Sequence, residues 1–325
     1  MQTYKLVVKT SAAVRPPVRR VTAGHTLGMS AFASADLAVA IATVDRPELL
    51  ARCLDAVLDG ELQPAEILVV DQGADPRNAA LVAERSRCDR LVHLREPRRG
   101  LSASRNAALA ATTARVLVTT DDDCVPAPGW LAAVARAFSE APAPEAVTGR
   151  VLPLGPPEPG LYAVSSRTSA VRADLRTGAP PWAAGTGANV AVERSWARRI
   201  DGWDERLGAG SAGGAGEDVD FLYRLMRAGG RIRYEPEALI RHERQSADRR
   251  KATRMSYGLG VGACCGLHLR GGDAGGARML AQWTRLRTGM AGRALLRGEW
   301  RSALEELTVA RGTAAGLAYG LRGGR

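Results

Sequence analysis

Aromatic residues are scarce in this chain: Phe, Trp and Tyr together make up 5% of its 325 residues. Modules that read nucleic acid by stacking bases on aromatic rings have little to work with here. Lysine is scarcer still, confined to Lys5, Lys9 and Lys251, so nearly all the positive charge is arginine. Those arginines are not interleaved with aromatics in any recognisable module, which argues against nucleic acid as a partner. The five cysteines, Cys53, Cys88, Cys124, Cys264 and Cys265, are odd in number and form no C-x-x-C pair. Zinc and dithiol redox chemistry are therefore unsupported, and a reducing cytosol fits best. No apolar run reaches bilayer-spanning length; the stretch from Tyr257 to Leu269 is too short and too rich in glycine. The first thirty-odd residues lack the apolar segment of a signal peptide, and Val14 to Arg20 is Pro- and Arg-rich. Together these absences predict a cytoplasmic protein, soluble or peripheral on the inner face of the cell membrane.

What is present supports a large fold. Hydrophobic residues make up 46%, enough to bury a sizeable core. The net charge of +11 raises nucleic acid, an anionic membrane and phosphate-rich substrates as partners. Residues 1–34 read as an extension, with a strand pattern at Tyr4 to Val8. From Asp36 the texture changes: apolar runs at 37–43, 66–70, 91–94, 115–120 and 146–151 read as strands. Between them, 47–58, 78–87, 102–111 and 130–138 read as helices. This alternation predicts an α/β fold with a mostly parallel sheet covered by helices on both faces. Such a domain spans 35–245, divided into a nucleotide-binding half (35–125) and an acceptor or catalytic half (126–245). A basic, mainly helical region (246–325) follows.

In open α/β sheets, ligands sit beyond the carboxyl ends of the strands. Asp45, Asp71 and the Asp121-Asp122-Asp123 run all fall there. Alternate residues on extended chain point the same way, so Asp121 and Asp123 can present oxygens to one point, suited to Mg2+ or Mn2+. A solvated acidic turn is the plainer alternative. Glu217-Asp218 follows the glycine-rich stretch 208–216 and opens a helix; it reads either as first-turn capping or as a general base. His242 is a further candidate ligand or a structural histidine. The segment Gly100 to Asn106 opens a helix whose N–H groups, with Arg105, form a candidate diphosphate cradle.

In order, Ala40-Ile-Ala-Thr-Val-Asp-Arg-Pro-Glu-Leu50, Ile67-Leu-Val-Val-Asp-Gln-Gly73, Arg99 to Asn106, Thr120-Asp-Asp-Asp-Cys-Val-Pro126, Gly187-Ala-Asn-Val-Ala191, Gly202-Trp-Asp-Glu205, Gly216-Glu-Asp-Val-Asp220 and Ile240-Arg-His242 resemble family 2 glycosyltransferases of the GT-A fold. The resemblance implies a metal-dependent, inverting, non-processive enzyme that moves a sugar from a nucleoside-diphosphate donor to an acceptor hydroxyl, such as that of a lipid-linked acceptor. By position, Thr43, Asp45, Arg46 and Asp71 would bind the nucleoside, Arg105 the donor phosphates, and Asp122 the ribose or sugar. Asn189 and Trp182 would lie where donor sugar and acceptor meet. Asp121, Asp123 and His242 would hold the metal, Asp218 would be the base, and Glu217 its neighbour. The family's usual Tyr-Asn before Arg-Pro is Val44-Asp45 here, and Gln72 and Ala74 also depart from the pattern. These differences leave UDP, dTDP and GDP open. No Q-x-x-R-W motif of processive synthases is present. A sugar nucleotidyltransferase would want a lysine-containing glycine loop after the first strand, which Thr43 to Pro47 does not offer. A dinucleotide oxidoreductase would want G-x-G-x-x-G there. A degenerate domain that binds nucleotide sugar without transfer is the non-enzymatic rival.

In the basic tail, Met279, Trp283, Leu286, Met290 and Ala294 recur at helical spacing among arginines. They describe either a helix packed on the catalytic domain or one lying on anionic lipid.

Overall fold

The computed structural model describes Phe32 and residues 34–86 and 90–324. The strand pattern at 4–8, the Pro/Arg-rich stretch and Cys88 lie outside the described residues.

Four parallel strands build the first half: β1 (Leu37–Thr43), β2 (Glu66–Asp71), β3 (Leu91–Arg95) and β4 (Val116–Asp121). They are joined by α1 (Pro47–Leu58), α2 (Pro76–Arg85) and α3 (Leu101–Ala111). Both α1 and α2 begin at a proline, whose missing N–H is no loss at the first helical position. After the short β5 (Cys124–Pro126) come α4 (Trp130–Ser139), β6 (Ala146–Pro153), β7 (Leu161–Tyr162) and β8 (Ala173–Leu175). The chain continues through α5 (Pro181–Ala184), β9 (Val190–Glu193), α6 (Arg194–Arg199) and α7 (Glu217–Arg227) to β10 (Ile232–His242). The main sheet runs β3-β2-β1-β4-β9-β6-β10-β5, with β8 also on β10. Only β9, β5 and β8 oppose the common direction. The expected α/β, mostly parallel architecture is present.

Period-two alternation sends each strand's side chains to two cores. Leu37, Val39 and Ile41 pack with Leu50 and Leu54 of α1 and Trp130 and Phe138 of α4. Ala38 and Ala40, with Leu68 and Val70, pack on the other face against Leu109 of α3 and Phe221, Leu222 and Leu225 of α7. Where the sequence predicts a strand ending at Tyr234 and a proline turn, β10 runs unbroken to His242. Pro236 falls in a register shift between Glu235 and Leu239, where the ladder needs no N–H.

Three long helices follow β11 (Gln245–Ser246): α8 (Ala247–Arg270), α9 (Gly275–Leu296) and α10 (Trp300–Leu321). Gly258, Gly262 and Gly266 of α8 face Gly312, Gly316 and Gly320 of α10. A Cβ at Gly262 would collide with the Thr313 carbonyl, and one at Gly316 with that of Leu259. The two backbones touch because neither carries side chains along that seam. Met279 and Trp283 of α9 are buried in a third core with Leu207, Val219 and Val261. The apolar face of 279–294 is thus packed on the protein, and the lipid-facing alternative for that face is set aside. Among the described residues, no helix is long and apolar enough to cross a membrane.

Candidate active site

The carboxyl ends of β1 and β4, the start of α7 and the end of β10 meet at one cleft with a cavity of about 310 Å³. Thr43, Arg46, Arg105, Asp121, Asp123, Glu217, Asp218 and His242 all line it. Asp121 ends β4 and the chain then turns, so Asp121 and Asp123 face the cleft while Asp122 is buried between them. The Asp122 carboxylate accepts from Thr43 Oγ1 at 2.7 Å and pairs with Arg46 Nη2 at 2.6 Å. Burial nevertheless pushes it up to about 7, partly offset by Arg46 and Thr43.

Arg105 is almost wholly buried and joins the two halves of the site. Its guanidinium lies 3.3 Å from Asp121 Oδ1 and donates to Glu217 Oε1 at 3.0 Å. Burial, and then the adjacent Asp218, push Glu217 up to about 7, with Arg105 pulling the other way. Asp218 is fixed by two backbone N–H groups, from Gly187 at 3.0 Å and Val219 at 2.7 Å, and stands at the cleft wall.

His242 Nδ1 lies 2.9 Å from the Glu243 carbonyl, which makes Nδ1 the donor and leaves the Nε2 lone pair facing Asp123 Oδ1 at 3.5 Å. A cation between them would satisfy both, and a His tethered through its other nitrogen is how metal-binding imidazoles are oriented. Asp123 and His242, with Cys124, bring ligand atoms within 4.8 Å of one another. The Cys124 thiol, fully buried with its pKa driven well up by that burial, is a soft donor and the least suited of the three to a hard cation. An oxygen and an imidazole nitrogen are left, a donor set that fits Mn2+ or Mg2+. Asp121 turns instead toward Arg105.

Other expected positions are held by the fold. Asp45, at φ 51°, accepts from the N–H groups of Ala74 and Asp75 and so ties down the loop after β2. Asp71 is buried, accepts from Gly73 N–H at 2.8 Å and Asn78 Nδ2 at 3.2 Å, and lies 3.2 Å from His93 Nε2. Asn189 accepts from Trp130 Nε1 at 2.9 Å and donates to the Ala238 carbonyl at 2.8 Å, so it braces the sheet rather than facing the cleft. Trp182 packs edge-on against Trp283. At the expected phosphate cradle, the Leu101 N–H is taken by the Ala209 carbonyl at 3.0 Å. The cleft's remaining wall comes from residues the motifs do not reach. Thr253, Ser256 and Tyr257 of α8 line it, as do Arg244, Arg249 and Ser165. Polar residues at helical spacing from Arg249 to Tyr257 are the only sequence signal of that wall.

Residues 38–159 match the family described as Glycosyl transferase family 2. The chain carries a family 2 glycosyltransferase domain. It is similar to the "Pre-mycofactocin glycosyltransferase" of Mycobacterium tuberculosis, 29% identical over 204 residues, covering 60% of this chain and 41% of that protein. It is also similar to the "Succinoglycan biosynthesis protein ExoM" of Rhizobium meliloti, 30% identical over 214 residues and covering 63% and 65% respectively. The match thus spans about two fifths of the length of the mycobacterial relative. Among solved structures, a mannosyltransferase from Pyrobaculum calidifontis in complex with GDP-Man and Mn2+ has the same fold. Its TM-score is 0.54 at 17% identity, covering 88% of this chain and 87% of that one. The glycosyltransferase domain is therefore of the GT-A type, and its cleft opens at the carboxyl ends of the parallel strands.

Proposed function

We propose that this protein is a metal-dependent, inverting, non-processive glycosyltransferase that uses a nucleoside-diphospho-sugar and an acceptor hydroxyl. One observation carries the reading: Asp121 at the end of β4, Asp123 in the turn after it and Asp218 from α7, the last remote in sequence, share a cleft with His242 and Arg105. The mannosyltransferase and its bound GDP-Man and Mn2+ support the donor class and the cation. Asp123 and His242, with Asp121 beside them, would hold Mg2+ or Mn2+, which when bound would supply charge neutralisation to a leaving diphosphate. Arg105 and Arg46 fix the carboxylates around that site and add positive charge where phosphate oxygens would lie. Asp218, immobilised by its two backbone bonds, takes the proton from the acceptor hydroxyl as that oxygen bonds to the anomeric carbon. The bond from that carbon to the phosphate oxygen breaks on the opposite face, so the configuration inverts. Asp45, Asp71 and Asn189 shape the site by holding its loops and sheet.

The same reading assigns the first half of 35–245 to the donor and the second to the acceptor, with 246–325 as a helical support. It also places the enzyme at the inner face of the cell membrane, where an acceptor on a lipid carrier would be met. A panel of UDP-, dTDP- and GDP-sugars with Mn2+ tests it, donor hydrolysis being the readout. Asp218→Asn is expected to lower turnover by at least about a hundredfold while nucleotide still binds. Unchanged turnover would remove Asp218 from the mechanism. Nucleotide binding without hydrolysis of any donor would instead favour a degenerate domain.

A further inference from the structure

Large apolar side chains are exposed in one place above all. At the end of α9 and along α10, Leu295 is 46% exposed, Leu296 90%, Trp300 66%, Leu304 62% and Leu307 56%. Residues 300, 304 and 307 recur at three- and four-residue spacing, so they form one stripe on α10. The glycine seam explains why this stripe faces outward. Gly312, Gly316 and Gly320 are drawn onto α8, which leaves the opposite side of α10 to solvent. Val309 and Thr313, on the seam side, are buried. Contiguous exposed apolar area of this kind marks an interaction surface.

The rim of the stripe is basic. Arg293, Arg297 and Arg301 are all exposed, and none pairs with a carboxylate among the described residues. A second copy of the chain would set that rim against itself, whereas an anionic surface would neutralise it. Trp300 and Leu296 sit at either side of the turn between α9 and α10, around Gly298 (φ 71°). The tip of a helical hairpin can enter a lipid interface with its arginines reaching to headgroups.

We infer that this hairpin tip, Leu295, Leu296, Trp300, Leu304 and Leu307 with Arg293, Arg297 and Arg301, docks on an anionic phospholipid bilayer. The surface also lies at the cleft's end of the bundle. Glu305 pairs with Arg250 at 2.7 Å and Arg254 at 3.0 Å, next to the cleft-lining Arg249 and Thr253. Docking rests on the helices alone; its use to bring a lipid-borne acceptor to Asp218 rests on the transferase reading.

Co-sedimentation of the full chain with phosphatidylcholine vesicles, with and without about 30% phosphatidylglycerol, tests the inference. Binding should require the anionic lipid and fall at least about tenfold in a triple variant Trp300→Ser, Leu304→Ser, Leu307→Ser. The charge reversal Arg293→Glu, Arg297→Glu, Arg301→Glu should abolish the anionic preference. Both variants alter exposed residues and should melt like the parent, with donor hydrolysis in the absence of vesicles unchanged. Failure of the parent to pellet with anionic vesicles would overturn the inference, as would pelleting indifferent to both variants. So would a concentration-dependent dimer in solution that the serine variant dissociates, because the stripe would then be a contact between copies. Loss of hydrolysis in the parent protein would count against the transferase reading and leave docking as it stands.

Discussion

Glu217 carries a pH signature of its own in the site. Its Oε2 is buried without a hydrogen-bond partner among the described residues, and its other oxygen meets Arg105. The carboxyl is pushed up to about 7 by burial and by Asp218, against about 4.3 for an unfolded glutamate. Between those values the folded protein holds a proton that the unfolded chain has released. The stability this provides is complete below about 4.3 and is lost as the pH rises through about 7. Glu217→Gln cannot titrate but can still accept from Arg105. From about pH 5 to about pH 8 the parent should therefore lose on the order of 2 kcal/mol relative to that variant in urea unfolding. Parallel stability curves would show that Glu217 ionises as an ordinary carboxylate. The same residue shows where sequence reading stops. Asp121, Asp123 and Asp218 are legible because strand ends and helix starts put them at a cleft. That Arg105 would bind two carboxylates of the site, and that Asn189 would brace Trp130 and Ala238, depends on distances that no local pattern encodes.

The α8–α10 seam shows how much packing can rest on absent side chains. A methyl at Gly316 would collide with the Leu259 carbonyl, whereas one at Gly292 of α9 meets nothing within 4 Å. Gly316→Ala should then destabilise by about 1–3 kcal/mol through overpacking, while Gly292→Ala should stabilise by about 0.5–1 kcal/mol through helix propensity. Thermal melts of the two variants check both signs, and shifts in the same direction would mean that the seam is looser than this. Elements of the first half were readable almost to the residue. Strands buried on both faces leave apolar runs, and the helices between them are amphipathic. The seam was not readable that way, because glycines every fourth residue in 258–266 and 312–320 lower the hydropathy of the helices they join. The stretch from Tyr257 to Leu269 is too glycine-rich to span a membrane, and the same glycines are what packs it. The 279–294 face, in contrast, shows an amphipathic pattern whose partner, a lipid or the protein itself, periodicity alone does not choose.

Seen whole, the three C-terminal helices pack with the elements that form the cleft. Helix α8 contributes Thr253, Ser256 and Tyr257 to the cleft, and Ser256 Oγ accepts from the Ala215 N–H at 3.0 Å just ahead of Glu217. Asp220, on the same helix as Asp218, pairs with His268 Nε2 at 2.8 Å, and Trp283 donates to Thr313 Oγ1 at 3.0 Å while touching Trp182. A chain cut after Ser246 would bare Leu207 and Val219 and leave the buried Asp220 carboxylate with Arg224 as its one ion-pair partner among the described residues. The full protein should accordingly unfold in a single transition that includes the bundle, and residues 1–246 alone should aggregate and hydrolyse no donor. Trp283→Ala supplies a graded version. Loss of the buried indole should cost about 3–5 kcal/mol, and nucleotide affinity should weaken as α7 loosens even though Trp283 does not line the cleft. Two separate transitions in calorimetry, with hydrolysis retained by residues 1–246, would instead make the bundle a domain of its own. In that case α8 would bound the cleft without supporting it.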